Sequence, residues 1–286
     1  MDAPRVYTSA GAFRRALEDR LRQSASAENA DLNRLRRQVS FDRLLARLFH
    51  DFAAPWVLKG GYALELRFKT ARSTIDIDLV SATRAASSTQ AMRDLLQEAA
   101  SLDLADWFEF IIGAPTMDID AAPYGGARYP IRARMDTRLF SRFNLDVALG
   151  ETAMSPLETV QCRDWLQFAG VRPPRVQMIP REQHFAEKLH AYTLPRTSAN
   201  SRVKDLVDLV LLIDSGSLEK PRVREALRVT FRQRDTHGLP EILEPPPADW
   251  RARFNEMATE CEIAPEMDAA FERVRSFLAG LLGSAS

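Results

Sequence analysis

The segment from Trp56 to Val80 constrains the fold more than any other part of this 286-residue chain. It holds an apolar run, WVLK, then the pair Gly60-Gly61, then a second apolar run, STIDIDLV, that carries two acids. Side chains at i and i+2 of an extended strand point to the same face. We therefore expect a strand, a glycine turn into a short helix, and a second strand that projects Asp76 and Asp78 together. The opposite face takes the apolar residues of the same run: Ile75, Ile77 and Leu79.

Two neighbouring carboxylates predict a cation site. They repel each other unless a cation or a shared proton offsets the like charge. Mg²⁺ suits such a pair, because it keeps several waters and is completed by substrate phosphates. Gly60 and Gly61 allow close approach of the backbone to a ligand and expose N–H groups where an anion is favoured, and Lys59 adds a positive charge. The pattern indicates a bound nucleotide with Mg²⁺.

A third acid lies inside a later apolar run, FNLDVAL, at Asp146. An aspartate in such surroundings is paired, hydrogen-bonded or part of a site. If its strand lies beside the strand of Asp76 and Asp78, three carboxylates share one surface. Alternatively, Asp146 caps a neighbouring group or pairs with one of the arginines nearby.

Composition and charge exclude several classes of protein. The chain is 45% hydrophobic and 27% charged, as in an ordinary globular protein, and its 39 Lys and Arg balance its 39 Asp and Glu. Its two cysteines, Cys162 and Cys261, have no nearby partner, which argues against a zinc site or a disulfide scaffold. The N-terminus has no signal-peptide pattern, and no run reaches the ~20 apolar residues of a membrane span. These features predict a cytoplasmic protein with reduced cysteines and no membrane contact.

Hydrophobic periodicity predicts a mixed first half. Helices are expected over Thr8–Ala27, from a cap at Ser40 to Phe52, and over Ala91–Asp103. A loop is expected over Ser81–Gln90 and a turn over Ala121–Gly126. Alternating apolar residues predict strands at Trp107–Ile112, Ala127–Asp136 and Arg142–Leu149.

The second half is expected to be helical. Ser155-Pro156-x-Glu158 has the form of a capping box with proline at the first helical position, which predicts a helix to Ala169. Gly170–Pro180 has the composition of a linker. Further helices are predicted at Arg181–Leu194, at 202–213 behind a cap at Asn200 or Ser201, at Leu218–Arg234 and within Asp249–Leu282. We predict two domains: a mixed lobe at 1–154 and a helical lobe at 155–286.

Four motifs occur in the order found in one protein family. They are KGG-x-AL at 59–64, RSTIDIDL at 72–79, AEKLHA at 186–191 and KDLVDL at 204–209. Together they resemble the AbiEii/MenT family of nucleotidyltransferase toxins, which belong to type IV toxin–antitoxin systems and to the DNA polymerase β-like nucleotidyltransferase superfamily. The resemblance covers roughly residues 40 to 214. It implies a two-lobed α+β nucleotidyltransferase fold, with a mixed sheet, flanking helices and a helical C-terminal lobe that contributes Lys188 and Asp205 to the site.

The resemblance also implies roles for individual residues. Asp76, Asp78 and Asp146 would hold Mg²⁺, Lys188 would contact the triphosphate, and Asp205 would complete the catalytic set. The nucleotide would be bound by a further group: Lys59, Gly60, Gly61, Arg72, Ser73, Thr74 and Lys204. Thr74 stands where the family often has serine, and it keeps the hydroxyl. The implied reaction moves nucleotides from a nucleoside triphosphate to the 3′ end of tRNA, which blocks aminoacylation, and a cognate antitoxin is the implied partner.

Other functions stay open at this point. A nucleotidyltransferase of the same chemistry could modify a small molecule or a protein hydroxyl, and a decayed fold could serve only to bind a partner. A Ser-His-Asp hydrolase is poorly supported, since no nucleophile elbow accompanies the four histidines, of which His184 and His190 are more typical of a helix surface.

Two groups of arginines bear on an RNA partner. One lies on the predicted hairpin: Arg128, Arg132, Arg134, Arg138 and Arg142. The other lies on a predicted helix: Arg222, Arg224, Arg228, Arg232 and Arg234. Basic clusters suit a phosphate backbone, and a solvated face with salt bridges explains them equally well. The charges at the start of the 202–213 helix likewise fit either a functional site or an exposed first turn.

Overall fold

The computed structural model describes residues 5–51, 54–81, 88–118, 125–149, 154–195 and 202–283. The chain divides into two compact units. Unit 1 comprises Met1–Tyr62, Ser73–Thr152 and Glu158–Met178, and unit 2 comprises Ala63–Arg72, Ala153–Leu157 and Ile179–Ser286. The sequence-based division into lobes 1–154 and 155–286 stays a prediction.

Unit 1 combines helices with one mixed sheet. Its helices are α1 (Ala10–Ala27), α2 (Leu32–Leu48) and α4 (Thr89–Ala100), and α3 (Gly60–Arg67) begins in it. Its strands are β1 (Trp56–Lys59), β2 (Asp76–Ser81), β3 (Glu109–Ile112), β4 (Met117–Asp118), β5 (Gly126–Met135), β6 (Arg138–Leu149), β7 (Glu158–Gln161) and β8 (Arg175–Met178). The predicted strand–glycine–helix–strand order over 56–80 is confirmed, as is the expected α+β class.

The sheet follows the order β3-β5-β6-β2-β1-β8-β7, with β4 paired to β5. The pairs β2–β6 and β1–β8 are parallel, and the other pairs are antiparallel. In the hairpin of β5 and β6, a register shift falls between Ala133 and Arg134. This irregularity fixes which residue of β5 lies opposite Asp146.

Helices cover one face of this sheet. Phe41 of α2 packs edge-on against Phe143 of β6, with ring centroids 4.8 Å apart. Ile77, Leu79 and Leu145, which point to the same side as Phe143, are fully buried. The apolar half of each strand therefore meets the helices, and the polar half lies on the opposite face.

The predicted helix start at Ser40 is wrong. Helix α2 begins at Leu32, and its N-cap is Asp31, whose side chain accepts a hydrogen bond from the backbone N–H of Arg34 at 2.7 Å. Ser40 lies within the helix and donates its hydroxyl to the carbonyl of Arg36 at 2.9 Å. Asp is as good an N-cap as Ser, and the earlier cap is followed by an apolar stripe that already includes Leu35.

The helix predicted to run from Ser155 to Ala169 is also wrong. Residues Glu158–Gln161 form β7, which pairs antiparallel with β8, and only Gln167–Ala169 form a turn of 3₁₀ helix. The β-branched residues Thr159 and Val160 favour a strand, and a long-range partner at 175–178 satisfies their backbone groups. Tertiary pairing thus overrides the local capping signal, and part of the predicted linker is the strand β8.

Unit 2 is helical in the part of it that the structure describes. Its helices are α5 (Arg181–Thr193), α6 (Val203–Asp214), α7 (Lys220–Arg234), α8 (Arg251–Glu260) and α9 (Met267–Leu282), together with the end of α3. Helices α5, α8 and α9 pack against α6, in which ten of the twelve residues are buried. The predicted cap of α6 at Asn200 or Ser201 lies outside the described residues, as do most of the predicted 121–126 turn and 81–90 loop. No helix of the described residues is long and apolar enough to cross a membrane.

Candidate active site

The strand carrying Asp146 lies beside the strand carrying Asp76 and Asp78, as predicted. In the parallel pair of β2 and β6, Asp78 stands opposite Asp146 and Asp76 opposite Asn144. Residues paired across neighbouring strands share a face, so the three carboxylates project from one side of the sheet, away from the helices. Ile77 and Leu79 point to the other side as expected, but Ile75 precedes the strand and is exposed, so that part of the prediction is wrong.

Arg128 of β5 holds two of these carboxylates. Its Nε and Nη2 donate to the two oxygens of Asp146 at 2.8 and 2.7 Å, and Nη2 lies 3.6 Å from Oδ2 of Asp76. The hydrogen bonds to Asp146, reinforced by the charges of Asp76 and Asp78, raise the pKa of Arg128 above its ordinary value. Asp146 therefore satisfies both expectations, since it lies beside Asp78 and it pairs with an arginine.

The amide of Asn144 completes this polar surface. Its Nδ2 donates to Oδ1 of Asp76 at 2.9 Å. Because Asn144 leaves the other oxygen of Asp76 facing Arg128, each of the two interactions orients a different side of the carboxylate.

Gly60 lies so close to Asp78 that no larger residue fits. Its φ is +67°, in the left-handed region, and a Cβ placed on it would lie 1.8 Å from Oδ2 of Asp78. At Gly61 a Cβ would lie 2.7 Å from Oγ1 of Thr74. The two glycines therefore allow the start of α3 to pack directly on β2 and the segment before it. Lys59, the residue before them, stands opposite Asp78 in the antiparallel pair of β1 and β2.

Ser73 and Thr74 lie in the segment leading into β2. The Ser73 hydroxyl accepts a hydrogen bond from Arg37 at 3.2 Å, and the Thr74 hydroxyl lies 3.4 Å from the carbonyl of Asp76. Unit 1 thus brings together all of its predicted site residues: Lys59, Gly60, Gly61, Ser73, Thr74, Asp76, Asp78 and Asp146.

The donors of unit 1 fit a divalent cation in type and in register. Three aspartates supply the hard oxygen ligands that Mg²⁺ prefers, at positions that adjacent strands hold side by side. A cation already stands among them, namely the guanidinium of Arg128. In this arrangement no three His, Cys, Asp or Glu side chains of the described residues converge as ligands of one metal ion.

Unit 2 holds a second charged cluster, centred on Asp208 of α6. Lys188 of α5 places Nζ 2.6 Å from Oδ2 of Asp208 and 3.2 Å from Oδ1 of Asp205. Arg72 donates Nε and Nη2 to the two oxygens of Asp208 at 2.9 and 2.8 Å. Both aspartates are buried, at 1% exposure or less, so the alternative of an exposed first turn is wrong for Asp205.

Burial and charge oppose each other in this cluster. Burial alone would raise the pKa of Asp208, but Lys188 and Arg72 outweigh it, and the pKa is lowered. Burial alone would lower the pKa of Lys188, but the two aspartates outweigh it, and the pKa is raised. For Lys204, burial and the neighbouring cations win over Asp205, and the pKa is lowered. Four cationic side chains, those of Arg72, Lys188, Arg202 and Lys204, face two carboxylates, which leaves a net charge of +2.

One oxygen of Asp205 is not used. Its Oδ2 is buried and accepts no hydrogen bond from the part of the chain that the structure describes, and Arg202 Nη1 lies 3.7 Å away. A buried carboxylate oxygen without a hydrogen bond is costly, and it marks a position where a ligand can supply the missing donor.

The sequence motifs do not single out three residues of these clusters. Arg128 counts there only as one of five hairpin arginines, Asn144 is a neutral residue in an apolar run, and Asp208 carries no separate role. For Asp208 a signal exists, because its spacing of three from Asp205 puts both acids on one face of a helix. His184 and His190, expected on a helix surface, are both buried, at 1% and 2% exposure.

Comparisons with known proteins support the fold. A search of curated proteins finds no match. Among solved structures, MenT4, a nucleotidyltransferase toxin from Mycobacterium tuberculosis H37Rv, matches with a TM-score of 0.59 and 18% identity, over 93% of this chain and 89% of that chain. JHP933 from Helicobacter pylori matches with a TM-score of 0.40 and 15% identity, over 88% of this chain and 98% of that chain. The MenT4 match shows a shared fold.

The family is shown by a model built for a set of sequences. The model described as the nucleotidyl transferase AbiEii toxin of type IV toxin–antitoxin systems matches residues 43–274. This span includes both charged clusters and most of both units. The chain therefore belongs to the AbiEii family of nucleotidyltransferase toxins.

Proposed function

We propose that the protein transfers nucleotides from a nucleoside triphosphate to the 3′ end of tRNA, and that it thereby blocks aminoacylation and translation. The observation that carries the proposal is the register of β2 and β6, which sets Asp76, Asp78 and Asp146 side by side on one face of the sheet. Family membership supports the transferase chemistry, a nucleotide substrate and an antitoxin partner. The choice of tRNA as acceptor is our inference from the resemblance, and it retains the predicted cytoplasmic location.

The reaction is an in-line displacement at phosphorus. The 3′ oxygen of the acceptor forms a bond to the α-phosphorus of the triphosphate, and the bond from that phosphorus to the bridging oxygen breaks to release pyrophosphate. In the proposal Asp146 accepts the proton of the attacking hydroxyl and later passes it to solvent. Asp76 and Asp78 would hold the cation, on the side of the sheet where the proposal places the α-phosphate and the acceptor.

Mg²⁺ held by Asp76, Asp78 and Asp146 would neutralise charge on the attacking and leaving oxygens. The aspartate oxygens determine where this charge lies, because the strands that carry them are fixed by backbone pairing. Asn144 orients Asp76 by its hydrogen bond to Oδ1. Gly60 packs against Asp78, and because it has no side chain, it leaves space for the Asp78 carboxylate.

The triphosphate carries more negative charge than one divalent cation can balance. We propose that the excess is met by basic residues, which is the role that the family resemblance gives to Lys59, Arg72, Lys188 and Lys204. The net charge of +2 around Asp208 supports this role. The hydroxyls of Ser73 and Thr74 and the backbone at Gly60 and Gly61 complete the nucleotide contacts in the proposal.

The arginines of the hairpin support a nucleic-acid acceptor. Arg132 and Arg142 stand directly opposite each other in β5 and β6, on the same face as the carboxylates, and both are exposed. Two like charges at such a position are unfavourable unless an anion lies between or above them. Within the described residues, neither one forms a salt bridge. A phosphate of the acceptor RNA would provide the counter-charge.

The arginines of α7 give less support, since most of them have acidic partners. Arg228 pairs with Glu225 at 2.5 Å, Arg234 lies 3.4 Å from Glu187, and Arg222 lies 3.9 Å from Glu182. The Arg228–Glu225 pair is exposed and the other two pairs are partly buried, and in each of the three a carboxylate already balances the guanidinium charge. We therefore assign RNA contact to the hairpin and not to α7.

Label transfer to tRNA tests the proposal. The purified protein is incubated with total tRNA, Mg²⁺ and each α-labelled nucleoside triphosphate in turn. We expect label in tRNA with the wild type and with Asp94→Asn, an exposed control on α4, but not with Asp78→Asn. Label that enters another acceptor and not tRNA, or equal label with Asp78→Asn, would overturn the proposal.

A further inference from the structure

Arg128 occupies the place that the proposed function assigns to a divalent cation. Resting on that function, we infer that Arg128 is a built-in competitor of the metal ion: its guanidinium neutralises Asp76 and Asp146 in the metal-free protein and leaves them when the cation binds. The residue thereby lowers the affinity of the free protein for metal. Nothing in the sequence motifs assigns such a role to Arg128.

The contacts of Arg128 carry the inference. The guanidinium engages both oxygens of Asp146 at 2.7 and 2.8 Å and approaches Asp76 to 3.6 Å. A Mg²⁺ ion binds carboxylate oxygens at about 2.0–2.1 Å, so an ion shared by these two aspartates would stand within a few ångströms of the guanidinium. Like charges at such a distance repel strongly in a partly buried site. The two cations are therefore alternatives at these oxygens.

The backbone fixes Arg128 in this position. Arg128 stands directly opposite Asp146 because the register of β5 and β6 shifts between Ala133 and Arg134. Arginine presents its donors in a rigid planar fork that fits a carboxylate with two parallel hydrogen bonds, whereas lysine offers a single charged point. The side chain of Arg128 keeps 29% exposure, so it has space to turn away from Asp146 without disturbing the core.

This competition has a consequence for the order of binding. A divalent ion that binds without nucleotide must displace Arg128, and the displaced guanidinium then gains no new anionic partner. A triphosphate that carries the ion supplies additional oxygen ligands and offers the displaced guanidinium a new anionic partner. Metal and nucleotide should therefore bind with positive coupling, and removal of Arg128 should reduce that coupling.

Binding of Mn²⁺, measured by the loss of the free-ion EPR signal, tests the inference without catalysis. The proteins are the wild type, Arg128→Gln, Arg128→Lys and Arg132→Gln, each first checked for native circular dichroism and thermal unfolding. Arg132 is a matched control, because it lies on the same face of β5, about 13 Å away along the strand. Each protein is titrated alone and with a non-hydrolysable nucleoside triphosphate.

We expect Arg128→Gln to bind Mn²⁺ about fivefold more tightly than the wild type, the size of a partly exposed charged pair, and to gain less from the nucleotide. Arg128→Lys should lie between the two, and Arg132→Gln should match the wild type. Equal or weaker binding by Arg128→Gln would overturn the inference, as would an equal gain in Arg132→Gln. If the wild type binds Mn²⁺ saturably and Arg128→Gln binds it with the same affinity, the inference is overturned but the proposed metal site is not. Absence of saturable binding in both proteins overturns the proposed metal site with it.

Discussion

Replacement of Gly60 by alanine tests the close packing of α3 against β2. A Cβ at this position would lie 1.8 Å from Oδ2, 2.4 Å from Cγ and 2.8 Å from Cβ of Asp78. The contact with the Cβ of Asp78 matters most, because rotation of the Asp78 side chain does not move that atom. The Asp78 carboxylate must therefore rotate and the backbone at Gly60 or in β2 must also shift, and the carboxylates lose their common alignment.

A second glycine allows the cost of the steric overlap to be separated from the cost of the left-handed backbone conformation. Gly216, which follows α6, has a φ of +65°, close to the +67° of Gly60, but nothing lies within 4 Å of its added Cβ. Both alanine variants carry the cost of a left-handed conformation, about 1 kcal/mol. Gly60→Ala carries in addition about 1–3 kcal/mol for the steric overlap. A displacement of about 1 Å at Asp78 should lower the rate of nucleotide transfer about 10²-fold, whereas Gly216→Ala keeps the wild-type rate.

Urea denaturation and initial rates of label transfer measure the two effects. We expect the free energy of unfolding to fall more in Gly60→Ala than in Gly216→Ala, and activity to fall only in Gly60→Ala. If the two variants have the same stability and Gly60→Ala retains transfer within threefold of the wild type, the assigned position of Asp78 is wrong.

Three further changes have predictable consequences. Asp208→Ala leaves Lys188 and Arg72 buried without their shared partner and should lower the free energy of unfolding by about 3–5 kcal/mol in urea denaturation, and an unchanged midpoint would contradict this. Asp106→Ala should cost a similar 3–5 kcal/mol, because it orphans the buried Arg47, and calorimetry should show a lower melting temperature. Burial raises the pKa of Asp42 from 3.8 to about 6, so the folded state holds this proton more tightly than the unfolded chain, and the stabilisation is lost as pH rises through 6. Between pH 5 and 7.5 this group should remove about 1.4 kcal/mol from the free energy of unfolding, and Asp42→Asn should lack that contribution.

Alternation within strands is the part of the site that sequence could predict. Apolar residues at every second position fix the buried face of β2 and β6, and the acids between them must then lie on the other face. The sequence indicates that the strand of Asp146 could lie beside that of Asp76 and Asp78, but it predicts neither the parallel pairing nor the register that puts Asp78 opposite Asp146. The roles of Lys188 and Asp205 come from the family resemblance and stay predictions, since charge and burial alone do not assign a reaction.

Local sequence patterns do not predict that Arg128 pairs with Asp146. A hairpin turn at Asp136-Thr137 without irregularity would put Arg128 opposite Leu145, which points to the apolar face. The register shift between Ala133 and Arg134 moves Arg128 onto the row of Asp146. No residue of that segment signals the shift by itself, because a bulge depends on how both strands pack.

Helix-capping patterns in the sequence also predict the wrong structure where strand pairing or helix packing is more favourable. The Ser155-Pro156-x-Glu158 pattern satisfies a helix start, but the following residues gain a full strand partner in β8. Ser40 is an acceptable N-cap residue, but the helix begins earlier in the chain and Asp31 caps it. In both cases the capping preference of about 1 kcal/mol is smaller than the packing and pairing that compete with it.

In the proposed reaction the acceptor is the 3′ end of tRNA. Total tRNA is divided in two, and one half is treated with periodate, which destroys the terminal 2′,3′-diol and leaves the rest of the molecule folded. Each half is then incubated with wild-type protein, Mg²⁺ and the α-labelled triphosphate that gives the strongest signal. We predict label in the untreated tRNA and none in the oxidised tRNA. Equal label in both halves, or none in either, would contradict transfer to the 3′ end.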